Sequence, residues 1–195
     1  MSNRHSSDKT RLMLADSLRE LMKKKPLDKI NIHEIVDNCG LNRQTFYYHF
    51  HDIYALVEWI CQYDAEQLMN EYNESGDIKT IVMKILDYVQ LRRDEIICVL
   101  NSKAQLYFIN YVNNSLDYCL KGVIDDYAKD RKLDDHYRSF ISGFYTFALS
   151  GELFDWIKAG SSTKMPPQEL VRMLEIVISD NIRLTVERCS KVNRP

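Results

Sequence analysis

Arg43, Gln44 and Thr45 stand in succession, and each carries a group that reads a DNA base edge. A guanidinium fork suits guanine, a carboxamide suits adenine, and the Thr methyl can meet the thymine methyl. Tyr47, Tyr48 and His49 follow at once. Their side chains can donate to phosphate oxygens, which positions a helix without reading sequence. Directly upstream, Asn42 is a good helix cap, and Asn31 stands three places before Glu34, the spacing of a capping box. Asn31 and Asn42 are placed in the same DNA-facing set. His49-x-His51 invites a metal reading, but residues two apart on a helix point to different faces, and no Cys or carboxylate sits at ligand spacing. No metal and no cofactor is expected. Nor does the chain hold G-x-G-x-x-G, a Walker loop, H-E-x-x-H or a nucleophile elbow, so an enzyme is not expected.

These residues need helices to aim them, and nearly every segment has a 3.6-residue apolar period. From Ser7 to Lys25, Leu14, Leu18, Leu21 and Met22 make one stripe, and Pro26 stops the helix. Arg4-His5 before it is either a minor-groove arm or a frayed terminus. Ile32, Ile35, Val36 and Cys39 share a face of a short helix capped by Asn31, with Gly40 as its left-handed end. Leu41 can plug the small core, and Asn42 opens the next short helix. This is the helix-turn-helix plan, whose second helix enters the major groove by its N-terminal residues. Phe46 and Phe50 belong to its inner face.

Beyond it the periodicity predicts a helix from His51 toward Tyr72, ended by Ser75-Gly76-Asp77, which also caps the next stripe of Ile78, Val82, Ile85, Leu86 and Val89. Further helices are expected over 95–110 and 113–130. Asp134-Asp135 should cap a run to Ala159; beside His136 the pair suggests acid–base chemistry, but a helix start explains both acids. Gly160-Ser161-Ser162-Thr163 should end that helix, and Pro166 should sit in the first turn of a last helix reaching Cys189. Tyr107, Phe108 and Tyr111 serve either a ligand cavity or helix packing. The fold class expected is all-α, about nine helices, with a helix-turn-helix domain over 1–50 and a helical sensing and dimerisation domain over 51–195.

Composition agrees with that class. The chain has 195 residues, 45% apolar and 28% charged, with only 6 Gly and 4 Pro, too few for the turns of a sandwich or barrel. Its net charge of −2 conceals an asymmetry: residues 1–50 hold nine basic and six acidic side chains, the remainder 17 and 22. Only the N-terminal part is suited to a polyanion. Cys39, Cys61, Cys98, Cys119 and Cys189 are scattered and never spaced C-x-x-C, so neither disulfides nor a zinc knuckle is expected. The first eight residues lack the apolar core of a signal peptide, and no apolar run approaches the ~18 residues of a bilayer span. A cytoplasmic protein without membrane contact is expected.

Gly40-Leu41-Asn42-Arg43-Gln44-Thr45-Phe46-Tyr47-Tyr48-His49-Phe50 resembles the recognition-helix signature of the tetracycline-repressor family of bacterial regulators. That pattern runs Gly-apolar-Ser-x-x-small-apolar-Tyr-x-His-Phe; Gly40, Leu41, Thr45, Phe46, Tyr47, His49 and Phe50 match it, and Asn42 replaces Ser with an equivalent cap. The likeness covers about residues 7–60. One departure is Ile53, where the family often has a Lys that touches a phosphate. Val57-Glu58-Trp59-Ile60, Phe140-x-x-Gly143-Phe144 and Gly151-x4-Trp156-Ile157 are similar to a subgroup that includes regulators of dihydroxyacetone-kinase operons.

The resemblance implies a homodimer on a roughly palindromic double-stranded DNA operator, with an effector bound by the C-terminal domain. It also implies a four-helix interface, two helices from each subunit. Phe140, Gly143, Phe144, Phe147 and Gly151 make one candidate stripe, and Leu170, Leu174, Val177 and Asn181 the other. The alternative implied by the subgroup is a partner-dependent co-activator of a dihydroxyacetone-kinase-type system, answering to a protein rather than a small molecule.

Overall fold

The structure is a computed structural model that describes residues 2–75, 78–160 and 165–192, with side chains outside 2–6, 68–82 and 179. Among the described residues the chain is all-α. In order come α1 (Ser2–Met22), a 3-10 turn (Leu27–Lys29), α2 (Ile32–Asn38), α3 (Arg43–His49), α4 (Ile53–Ser75), α5 (Ile78–Leu91), α6 (Arg93–Leu100), α7 (Gln105–Ala128), α8 (Asp135–Ala159) and α9 (Pro167–Val192). The Gly76-Asp77 cap and the Ser161-Ser162-Thr163 stop lie outside the described residues.

Two compact units emerge. The first holds α1–α4, α6 and the start of α7 up to Phe108; the second holds α5, the rest of α7, α8 and α9. In the first unit Leu14 and Leu18 of α1, Ile35 and Val36 of α2, Phe46 of α3 and Leu56 of α4 close a dry core. Polar ties fix its angles. Ser17 Oγ donates to the Ile35 carbonyl at 2.6 Å and accepts from Asn38 Nδ2 at 3.1 Å, locking α1 to α2. The buried Arg19 guanidinium reaches Asp64 on α4 at 2.5 Å and Glu95 on α6 at 3.5 Å. In the second unit Leu120 and Ile124 of α7, Ile141 of α8, and Ile182 and Val186 of α9 form one core. Leu86, Leu170 and Val171 form another beside Trp156.

Three boundaries differ from expectation. Helix α1 begins at Ser2, which takes Arg4-His5 into the helix. The break expected near 110–113 falls instead at 101–104. There Ser102 Oγ donates to the Val99 carbonyl at 2.7 Å and accepts the Ala104 N–H at 3.1 Å, while Asp28 accepts the Lys103 N–H. Helix α7 then runs unbroken through Asn113-Asn114-Ser115, where Ser115 Oγ bonds the Tyr111 carbonyl. At α9 the first helical residue is Pro167, and the Pro166 carbonyl accepts from Glu169 and Leu170.

Candidate nucleic-acid interface

Local caps hold the reading helix in place. Asn31 Oδ1 accepts the Glu34 N–H at 3.1 Å and Glu34 returns the bond to the Asn31 N–H at 3.0 Å, a complete capping box. Lys25 pairs with the same Glu34, and that bond first, then the Asn31 N–H, holds its carboxyl below the usual range. Gly40 adopts φ 68°, where a side chain is strained, and the chain turns sharply. Leu41 packs against the core beneath. Asn42 Oδ1 then accepts both the Thr45 N–H at 2.8 Å and the Thr45 hydroxyl at 3.0 Å.

With Phe46 buried and Phe50 nearly so, the opposite side of α3 is left to solvent. Arg43 and Gln44 are exposed, Tyr47 is half-exposed and Tyr48 is 82% exposed. Thr45 is partly buried. Arg43 Nη2 donates to the Tyr47 hydroxyl at 3.5 Å and its guanidinium lies 5.9 Å from that ring's centre. His49 is partly buried, and burial, then the Arg11 guanidinium, lowers its pKa. It is therefore a neutral donor near pH 7. Arg11 on α1, which pairs with Asp8, is thus a charge near His49 that spacing along the chain did not reveal. Ile53 packs against the core, and Asp52 caps α4 by accepting the Ala55 N–H at 2.8 Å. His51 lies beside Asp52, and among the described residues no three His, Cys, Asp or Glu side chains are gathered to hold a metal.

The candidate interface residues on α8 and α9 fall in different places. Phe140, Phe144, Phe147 and Gly151 are exposed and Gly143 partly so. Val177 and Asn181 are exposed, and Asn181 Nδ2 donates to the Val177 carbonyl. Leu170 is buried beside Leu86 and Val171 within its own chain. Leu174 packs partly on the same cluster. The open apolar stripe of α9 is instead Met173, Ile176, Val177 and Leu184. Ile176 was missed because Leu174-Glu175-Ile176-Val177-Ile178 is apolar on both sides of the helix.

Comparisons with known proteins bear on both units. Residues 14–60 match the model described as bacterial regulatory proteins, tetR family, and residues 76–180 match one described as transcriptional regulator C-terminal region. The chain is similar to the HTH-type dhaKLM operon transcriptional activator DhaS of Lactococcus lactis subsp. lactis (strain IL1403), 24% identical over 173 residues that cover 85% of this chain and 88% of the relative. Among solved structures, the dihydroxyacetone kinase operon activator DhaS shares the fold with a TM-score of 0.67 at 19% identity, over 93% of this chain and 98% of that one. No helix among the described residues is long and apolar enough to cross a membrane. The regulator-family match spans more than half of the residues, and the helix-turn-helix it requires is present in α2 and α3: this chain belongs to the tetR family of transcriptional regulators, which are not enzymes.

Proposed function

We propose that this regulator binds a roughly palindromic operator as a homodimer in the cytoplasm, with residues 1–50 meeting DNA and residues 51–195 sensing and dimerising. The observation that carries it is the solvent face of α3, where Arg43, Gln44, Tyr47 and Tyr48 are exposed on a short helix capped by Asn42 and backed by buried Phe46. Arg43 and Gln44 read base edges, Thr45 offers a methyl, and Tyr47, Tyr48 and His49 hold phosphates. Two copies are needed because successive half-sites lie about 34–36 Å apart or multiples of that. Exposed Phe140, Phe144, Phe147 and Val177, with Gly143, Gly151 and Asn181, support α8 and α9 as the dimer face.

The effector binds the body and favours one spacing of the two recognition helices. A ligand with equal affinity for both spacings shifts nothing. Similarity to an activator of a dhaKLM operon supports a dihydroxyacetone-kinase operon as the target. A second reading, a co-activator that needs a partner protein, is favoured by Ile53: its packing against the core removes one phosphate contact common in the family.

The test is a mobility-shift titration with DNA upstream of this gene and its neighbours, at two salt concentrations and with scrambled competitor. Specific binding that weakens steeply with salt is expected. Arg43→Ala should cost about 1–3 kcal/mol and relax one base position. Sequence-indifferent binding by the protein alone would overturn the first reading in favour of the second.

A further inference from the structure

Helix α8 carries three phenylalanines that its own chain leaves uncovered: Phe140, Phe144 and Phe147 are 67%, 62% and 70% exposed. The same side carries two glycines, although glycine is among the poorest residues for a helix interior. Packing within the chain does not demand them, because a Cβ built on Gly143 or Gly151 meets nothing within 4 Å. Backbone conformation does not demand them either, since among the described glycines only Gly40 and Gly160 have positive φ. The space they keep open lies outside the chain.

We propose that Gly143 and Gly151 are sockets of a self-complementary surface, on which α8 lies antiparallel to the same helix of a second copy and Phe140 seats on the partner's Gly151. This rests on the homodimer reading and adds its register. Residues 140, 144, 147 and 151 follow one stripe of the helix, with 143 and 148 along its flanks. About a two-fold axis, a residue some number of places before the axis meets the one equally far after it. The pairs 140 with 151, 143 with 148, and 144 with 147 all share one midpoint, between Tyr145 and Thr146.

A single axis therefore sets Phe against Gly, Gly against the exposed Ala148, and Phe144 against Phe147. It also sets exposed His136 opposite exposed Asp155, which attract when the imidazole is protonated. With Met173, Ile176, Val177 and Leu184 of α9, the exposed side chains offer on the order of 700 Å² per copy, against about 800 Å² in a standard interface.

The experiment is sedimentation equilibrium of the full chain, with circular dichroism as the fold control. The native chain should be a dimer. Gly151→Leu should dimerise at least about a hundredfold more weakly while keeping its helix content, because the position is exposed, a Cβ there meets nothing within 4 Å, and Leu has the better helix propensity. Adding Phe140→Ala to Gly151→Leu should restore the dimer, the new Leu filling the place of the removed ring. Gly122→Ala on α7, equally open, should leave association unchanged. Should Gly151→Leu lose helix, Gly151→Ala carries the same test, expected to bind its copy about tenfold more weakly. A Gly151 variant as dimeric as the native chain, or a double variant left monomeric, overturns the sockets and leaves the homodimer standing. A native chain that is monomeric overturns the homodimer itself.

Discussion

Replacing Asn42 separates the holding of the reading helix from the reading. Helix α3 has seven residues, barely two turns, so it has little stability of its own. Its start depends on Asn42 Oδ1, which takes the Thr45 N–H and hydroxyl together. Losing such a cap costs about 1 kcal/mol and up to about 2. That multiplies the opened population of α3 by roughly 5 to 30. The readout is hydrogen exchange at the Phe50 amide, which closes the helix on the Phe46 carbonyl at 2.8 Å. Asn42→Ala should speed it by that factor and leave amides of α1 unchanged, while Asn42→Ser should behave as the native chain because a hydroxyl caps equally well. Operator affinity scales with the folded fraction of α3. It should therefore change by less than about twofold while opening stays rare, and equally for every operator variant. If Asn42→Ser failed like Asn42→Ala and relaxed one base position, Asn42 would be a reader and the reasoning would be refuted. Unchanged Phe50 exchange in Asn42→Ala would refute the cap itself.

Other perturbations test the surrounding unit. Phe46→Ala empties a fully buried site under α3 and should cost about 3–5 kcal/mol in urea titration, against less than about 1.5 for Phe46→Leu; equal costs would mean Phe46 is not in the core. Ser17→Ala strips a partner from the Ile35 carbonyl and from Asn38, and should cost about 1–3 kcal/mol by the same titration. His49 titrates lower folded than unfolded, so its stabilisation is complete above about 6.5 and drains as pH falls toward the lowered value. Between pH 7 and 5 the native chain should lose more stability than His49→Gln, and parallel curves would sink the assignment. The Cys61 thiol is pushed up to about 12 by burial and then by Asp64, so at pH 8 iodoacetamide should label it more slowly than exposed Cys119, as read by peptide mass spectrometry.

How much of this could be read from residues alone depended on the distance over which each feature is decided. Caps are decided within four residues: Asn31 with Glu34, Gly40 with its positive φ, Asn42 with Thr45, and Asp134 with His136 all follow from local geometry. The α6–α7 break is decided from afar. Asn113-Asn114-Ser115 has the composition of a cap yet stays helical, whereas Asn101–Ala104 turns where Asp28, from the far end of the sequence, holds the Lys103 N–H. The inward side of α9 at Leu170 is decided from afar too, by Leu86 on another helix. Arg19 gives no local sign of burial either: its pairing with Asp16 is an ordinary one-turn pair, and the buried carboxylates it meets come from α4 and α6.

Helix α8 departs furthest from the expectation that apolar residues point inward. Ser142, Thr146 and Ser150, one turn apart, are buried along with Ile141, Phe154 and Ile157, while Phe140, Phe144 and Phe147 face outward. Two of the hydroxyls find partners inside: Ser142 donates to Asp117 on α7, and Ser150 to the Phe147 carbonyl one turn back. Nothing comparable relieves the rings, whose contact with water costs free energy in proportion to their area. A helix that buries three hydroxyls among its inward apolar residues and leaves three aromatic rings outward is poorly matched to life as a monomer, and its period alone cannot say which apolar side is the inner one. What marks it out is that two glycines with open space around them stand on the side that carries the exposed rings, where packing within the single chain gives neither the rings a cover nor the glycines a use.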